Sequence, residues 1–224
     1  SADDQAVAMR DYEEVLKKID PASNVEPPPE PKVDFSKSIA LYRRLIEQFP
    51  DYKLNDASWY LLAYCEEKQE DFETALTSYQ QLIARYPNSR FTTEAWVRIG
   101  EYYFDAYDVP DALTKAADAY EHAVADVKHP LYDKALYKLG WVYYRLDRFD
   151  DAVARFIALA DFYEAEAARK NEEEVGGDLR NEALQYTAIS FVDEKWGSLA
   201  KAQDTFAKLG GRKYEGEVYR RMGD

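Results

Sequence analysis

Tryptophan and proline recur at a fixed distance in this chain: Trp59 and Trp96 lie 37 positions apart, as do Pro50 and Pro87. Self-similarity with a period of roughly 20–50 residues marks a stack of small structural units. Superposing the tryptophans also brings Leu62-Ala63 onto Ile99-Gly100, and Leu139-Gly140 falls into the same register further along. The stretch from Ala57 reads ASWYLLAYCEEKQEDFETALTSYQQLIARYP, and that from Ala135 reads ALYKLGWVYYRLDRFDDAVARF. Between them EAWVRIGEYYF runs from Glu94, and AADAYEHAV resumes at Ala116.

These stretches resemble the tetratricopeptide repeat, a unit of two helices, A and B. Its motif places a bulky residue at position 4, Leu at 7, Gly or Ala at 8 and Tyr at 11, then Ala at 20, an aromatic at 24, Ala at 27 and Pro at 32. One repeat supplies Trp59, Leu62, Ala63, Ala75, Tyr79 and Pro87, and departs at Glu66 and Leu82. The next supplies Trp96, Ile99, Gly100 and Tyr103, then Ala116, Tyr120 and Ala123 after about four extra residues. A third supplies Leu136, Leu139, Gly140, Tyr143, Ala152 and Phe156; it departs at Leu159 and runs past the expected proline. The spacing has a physical cause. Small residues let two helices approach closely, and large residues fill the space around that contact. Proline stops the second helix because it cannot continue the hydrogen-bond ladder.

The resemblance implies an all-α fold, a right-handed helical solenoid of four to five helix-pair repeats, with A helices on the concave wall. Repeats are expected near residues 35–50, 56–89, 93–130, 133–174 and 178–209. The first is a helix B in which Phe35, Ser38, Tyr42, Leu45 and Pro50 fill the later motif positions. Residues 1–34 are expected to form an N-terminal helix, from about Asp4 to Ile19, and an extended loop containing Pro21, Pro27, Pro28, Pro29 and Pro31. In the last repeat Ala188 and Phe206 take the small and aromatic positions, and Gly176-Gly177 and Gly210-Gly211 punctuate it. Residues 210–224 read as the opening of a further helix. The chain begins Ser1-Ala2 without Met and ends within that helix pattern, so a processed protein or an excised segment is expected.

Charge narrows the function. The 43 Asp and Glu against 29 Lys and Arg give a formal charge of −14. Such a chain repels phosphate backbones and anionic lipid, so no nucleic-acid partner is expected. No stretch approaches the roughly 18 apolar residues of a membrane helix, so no membrane insertion by this segment is expected. The single cysteine, Cys65, excludes an internal disulfide. It sits beside a core position, which suits a small buried residue better than a nucleophile. His122 and His129 are seven residues apart, with Pro130 next to the second. They read as surface residues, since no clustered Cys/His spacing supports zinc. Gly176-Gly177 follows the acidic run Glu172-Glu173-Glu174 and no strand, which argues against a phosphate loop. Neither an active site, a metal nor a cofactor is expected.

A surface remains. The resemblance implies that positions 2, 5, 9, 12 and 13 of helix A face the groove. These are Ala57, Tyr60, Tyr64, Glu67 and Lys68 in one repeat, and Glu94, Val97, Glu101, Phe104 and Asp105 in the next. In the third they are Lys134, Tyr137, Trp141, Tyr144 and Arg145. Tyr is unusually abundant at 19 residues, and Tyr60/Tyr64 and Tyr137/Trp141 each lie one turn apart on one face. Two readings stay open for these rings: contact with a ligand, or packing across a narrow superhelix. Lys134, Lys138 and Arg145 form a basic edge in an acidic protein, suited to orient an acidic partner segment. Position 9 carries Tyr64, Glu101 and Trp141. The resemblance therefore excludes the family members that clamp a chaperone C-terminus with an Asn there.

The expected function is a non-enzymatic scaffold that holds a protein or peptide partner on Tyr60, Tyr64, Phe104, Lys134, Tyr137, Lys138, Trp141, Tyr144 and Arg145, without a small ligand. The Phe49-Pro50 and Tyr86-Pro87 steps, each followed by small polar residues, resemble tetratricopeptide proteins of the bacterial cell envelope. That resemblance implies a periplasmic or outer-membrane-associated place in outer-membrane assembly, cell-wall, motility or secretion machinery, with a cytoplasmic location as the alternative. The competing functions are a structural spacer or self-association module of a larger protein, and a module that stacks cell-wall glycans or peptides on its rings.

Overall fold

The computed structural model describes residues 2–19, 25–29, 31–171 and 177–223, and among these it contains eleven α-helices and no strand. They are α1 (Ala2–Lys18), α2 (Ser36–Gln48), α3 (Asn55–Lys68), α4 (Phe72–Arg85), α5 (Thr92–Asp105) and α6 (Ala112–Ala123). There follow α7 (Tyr132–Arg145), α8 (Phe149–Lys170), α9 (Gly177–Phe191), α10 (Leu199–Lys208) and α11 (Glu215–Gly223). The fold is all-α, a solenoid-type succession of helix pairs, with short turns between consecutive helices from α2 to α8. Residues 25–29 and 31–35 form neither helix nor strand. Pro21, Glu172, Glu173, Glu174 and Gly176 lie outside the described residues. The chain divides into two compact units, residues 1–81 and 82–224.

Turn chemistry separates the helices. Glu70, Asp111 and Asp147 follow the first helix of three successive pairs, and each adopts a left-handed conformation with φ near 60° (64°, 57° and 55°). After α3 and α7 the next amide reaches back to the helix: Asp71 N–H donates to the Glu66 carbonyl and Arg148 N–H to that of Tyr143. This closure satisfies carbonyls that a helix end otherwise leaves bare. Ser198 begins α10 from an extended backbone, and its hydroxyl accepts from Lys201 N–H.

In the first unit, α2, α3 and α4 are tied by polar contacts. Glu66 occupies the position where the motif has tyrosine, and its residue is only 1% exposed. Arg43 of α2 reaches one carboxylate oxygen at 2.7 Å, and the Ser78 hydroxyl of α4 donates to the other at 2.6 Å. The buried charge is thereby paired and hydrogen-bonded, the condition for keeping a carboxylate in a core. Asn55, also buried, donates to the Phe49 and Pro50 carbonyls and fixes the α2–α3 turn. Tyr79 donates its hydroxyl to Glu67 across α3 and α4.

In the second unit the small-against-large arrangement is explicit. A β-carbon on Gly100 of α5 would lie 2.7 Å from Tyr120 Cε1 of α6, and one on Gly140 of α7 would lie 2.6 Å from Phe156 Cε1 of α8. Either distance is shorter than packed carbon atoms tolerate, so glycine permits both crossings. Tyr120, Leu136, Leu139, Val142 and Phe156 are fully buried around them. A second cluster joins α8, α9, α10 and α11 through Ile157, Ala188, Phe191, Ala202, Phe206 and Val218. Its margin is pinned by Asp161, which accepts from Arg212 Nε at 2.7 Å and from the Tyr214 hydroxyl at 2.6 Å.

Candidate partner-binding site

The first helices of three pairs in the second unit, α5, α7 and α9, meet along one face. Phe104 of α5 lies beneath two cations of α7: Lys138 Nζ is 4.2 Å from its ring centre and the Arg145 guanidinium carbon 4.9 Å. Arg145 also donates to the Phe104 carbonyl at 3.0 Å, and its guanidinium stacks over Tyr107, which is 82% exposed. On the other side of α7, Trp141 packs against Tyr186 of α9 with ring centres 4.2 Å apart. Tyr144 lies 6.1 Å from Tyr186 and 5.4 Å from Phe149. Tyr137 donates its hydroxyl to Glu182 of α9 and packs edge-on against Trp141.

These rings are half-buried and lean on the core. Of the two readings open for these rings, intramolecular packing is seen at Tyr137, Trp141 and Tyr144, which fasten α9 to α7 and stay partly exposed. Phe104 is half-buried as well, and Lys134 is exposed. In the first unit, half-buried Tyr60 lies 6.2 Å from Tyr79, and Lys68 Nζ stands 5.3 Å from the Tyr64 ring centre.

Three features of the second unit were not singled out from sequence. Tyr186 completes the aromatic set from α9, where Glu182 accepts from Tyr137, and Tyr107 flanks it from the α5–α6 turn. The third is the Tyr120 hydroxyl. Its residue is fully buried, yet no described group bonds the oxygen. Burial, together with the charges of Glu101 and Asp105, pushes its pKa far above the ordinary tyrosine value, so it is a neutral donor. Burial and the hydrogen bond to Glu182 push the Tyr137 pKa up to about 12.

Other candidate chemistry is dispersed. His122 stacks on Trp96 with centres 4.3 Å apart, whereas His129 Nδ1 accepts from Leu131 N–H. Among the described residues no group of three His, Cys, Asp or Glu side chains is placed to hold a metal ion. Cys65 is buried, and burial followed by the charge of Glu66 raises its thiol pKa, which disfavours the reactive thiolate. Among the described residues no helix is long and apolar enough to cross a membrane.

Residues 57–89 and 134–164 match the family model of the tetratricopeptide repeat. The first stretch spans α3 and α4, and the second spans α7 with most of α8. The pair α5–α6 lies between the matched stretches and has the same Gly-to-aromatic crossing. No curated protein matches the chain.

Proposed function

We propose that this chain is a non-catalytic interaction scaffold that holds a segment of a partner protein along α5, α7 and α9. Repeats of this kind are widely used as protein-binding surfaces, and the chain carries two matched examples. The observation that carries the reading is the row Phe104, Tyr137, Trp141, Tyr144 and Tyr186, whose rings are half-buried on one face while the fully buried core is supplied by other residues. Half-exposed aromatic rings on a rigid support are efficient anchors for a partner. The repeat array extends over residues 35–209 in this reading. The Phe49-Pro50 and Tyr86-Pro87 steps support a place in a bacterial cell-envelope assembly, which fractionation of the source cells tests.

The experiment is quantitative capture from source-cell extract on the immobilised chain, compared with Tyr144→Ala and Trp141→Ala, each checked for helicity by circular dichroism. At least one protein is expected to fall tenfold or more with a folded variant. Ala154→Arg, placed in the cleft of about 390 Å³ between α8 and α10, is expected to change nothing. Identical capture by wild type and by the folded aromatic variants contradicts the reading.

A second reading, a spacer that self-associates, is favoured by the first unit. Its α2 region exposes Leu41 (62%), Phe49 (58%) and Leu54 (56%). Sedimentation across a concentration series distinguishes the two, because a scaffold without self-association stays monomeric.

A further inference from the structure

The α7–α8 pair breaks the repeat pattern at its end. α8 has 22 residues, against 12 to 14 in each helix from α2 to α7. No proline stands where the motif would stop it, so it continues for about two more turns. The added turns stand beside the α6–α7 turn, and the two form a recess of about 540 Å³, a size that suits a small molecule. On α8, Phe162, Glu166 and Arg169 follow at steps of four and three, so they share the face that lines it. The α6–α7 turn contributes Lys128, His129 and Pro130, and the first turn of α7 contributes Asp133.

The wall of this recess is held in place before any ligand arrives. The Asp133 carboxylate accepts from the Tyr163 hydroxyl at 2.8 Å. Arg169 forks onto Glu166, with Nε 3.1 Å from Oε1 and Nη2 2.6 Å from Oε2. His129 Nδ1 accepts from Leu131 N–H at 3.2 Å, which leaves Nε2–H as a donor. The Phe162 ring packs on Tyr132 with centres 5.1 Å apart. Two cations, Lys128 and Arg169, therefore share the lining with two carboxylates, Asp133 and Glu166. A ligand of a single sign meets like charges here, which disfavours it. A metal ion also finds the Nδ1 lone pair of His129 already engaged. The lining matches a molecule that carries both charges beside an apolar group.

We propose that this recess binds a free α-amino acid with an aromatic side chain. Its carboxylate pairs with Lys128 and accepts from His129 Nε2–H, its ammonium faces Asp133, and its ring lies against Phe162 and Pro130. Arg169, already closed on Glu166, completes the wall, and Lys128 supplies the cation that among the described residues has no carboxylate of its own. The inference goes beyond the scaffold reading, because the recess shares no residue with the aromatic row on α5, α7 and α9. It also departs from the expectation of no small ligand, since the length of α8 that builds the recess lies outside the repeat motif.

The probe is L-phenylalanine, titrated into the isotopically labelled chain and followed through the amide shifts of residues 127–133. Saturable shifts are expected. N-acetyl-L-phenylalanine lacks the ammonium and L-phenylalaninamide lacks the carboxylate; each is expected to bind at least about fivefold more weakly, because one charge-assisted contact is gone. Asp133→Asn keeps an acceptor for the Tyr163 hydroxyl and removes only the charge. It is expected to retain the melting temperature and to weaken phenylalanine binding at least about threefold. Lys128→Glu, at an exposed position, is expected to weaken it as much without touching the core. Absence of saturable shifts in this segment, equal binding of either capped form, or unchanged affinity in Asp133→Asn or Lys128→Glu overturns the inference. None of these outcomes bears on the capture experiment, whose variants lie on the aromatic row.

Discussion

Gly140 of α7 sits directly against the Phe156 ring of α8, so close that a β-carbon would lie 2.6 Å from Cε1. Phe156 is fully buried and cannot swing aside. Gly140→Ala is therefore expected to destabilise the second unit by about 1–3 kcal/mol, the range for overpacking a filled core. Adding Phe156→Leu makes room and is expected to recover part of the loss. Urea unfolding of the single and double variants checks both, and additive effects of the two changes contradict the crossing.

Glu66 stands where the motif has tyrosine, and its charge is retained by Arg43 and Ser78. Removing one partner of a buried ion leaves the other uncompensated. The Arg43 side chain is 54% exposed, however, so water replaces part of the interaction. Arg43→Ala is expected to lower stability by about 1–2 kcal/mol, with a smaller effect when Glu66→Leu is already present. A thermodynamic cycle with the four proteins measures the coupling; values near zero contradict a structural role for the pair.

Tyr137 joins α7 to α9 through Glu182, and its pKa rises to about 12 from an ordinary value near 10, through burial first and the hydrogen bond second. A pKa raised by folding means that the neutral form is the one stabilised. This contribution is complete below pH about 10 and disappears as pH climbs through about 12. Stability is expected to fall across that window, and Tyr137→Phe, which cannot ionise, is expected to soften the fall. Denaturant titrations at successive pH values provide the check, with parallel curves for both proteins contradicting the assignment.

The nesting of the helices was legible because it has a period. Gly100, Gly140, Tyr120 and Phe156 fall at the small and aromatic positions that the resemblance to the tetratricopeptide motif implies, and close approach requires a small residue opposite a large one at each repeat. Arg43 was not legible as the partner of Glu66, because it lies 23 residues earlier and outside the motif register. Tyr186 was hidden by its register: with Ala188 at the small-residue position, Tyr186 falls between the positions assigned to the groove. Tyr107 escaped because it stands in the turn that carries the additional residues. The division at residues 81 and 82 falls inside α4, where the apolar pattern continues without a break. The unbonded Tyr120 hydroxyl could not be read from sequence at all, since its residue fits the core pattern as well as phenylalanine does.

Amide chemical-shift mapping of the isotopically labelled chain with the protein it captures from source-cell extract tests the binding face most directly. Shifts are expected to concentrate on residues 97–105 and 134–145, with a further group around Tyr186. Shifts concentrated instead on Val153, Ile157 and Leu209, which line the cleft between α8 and α10, would contradict it.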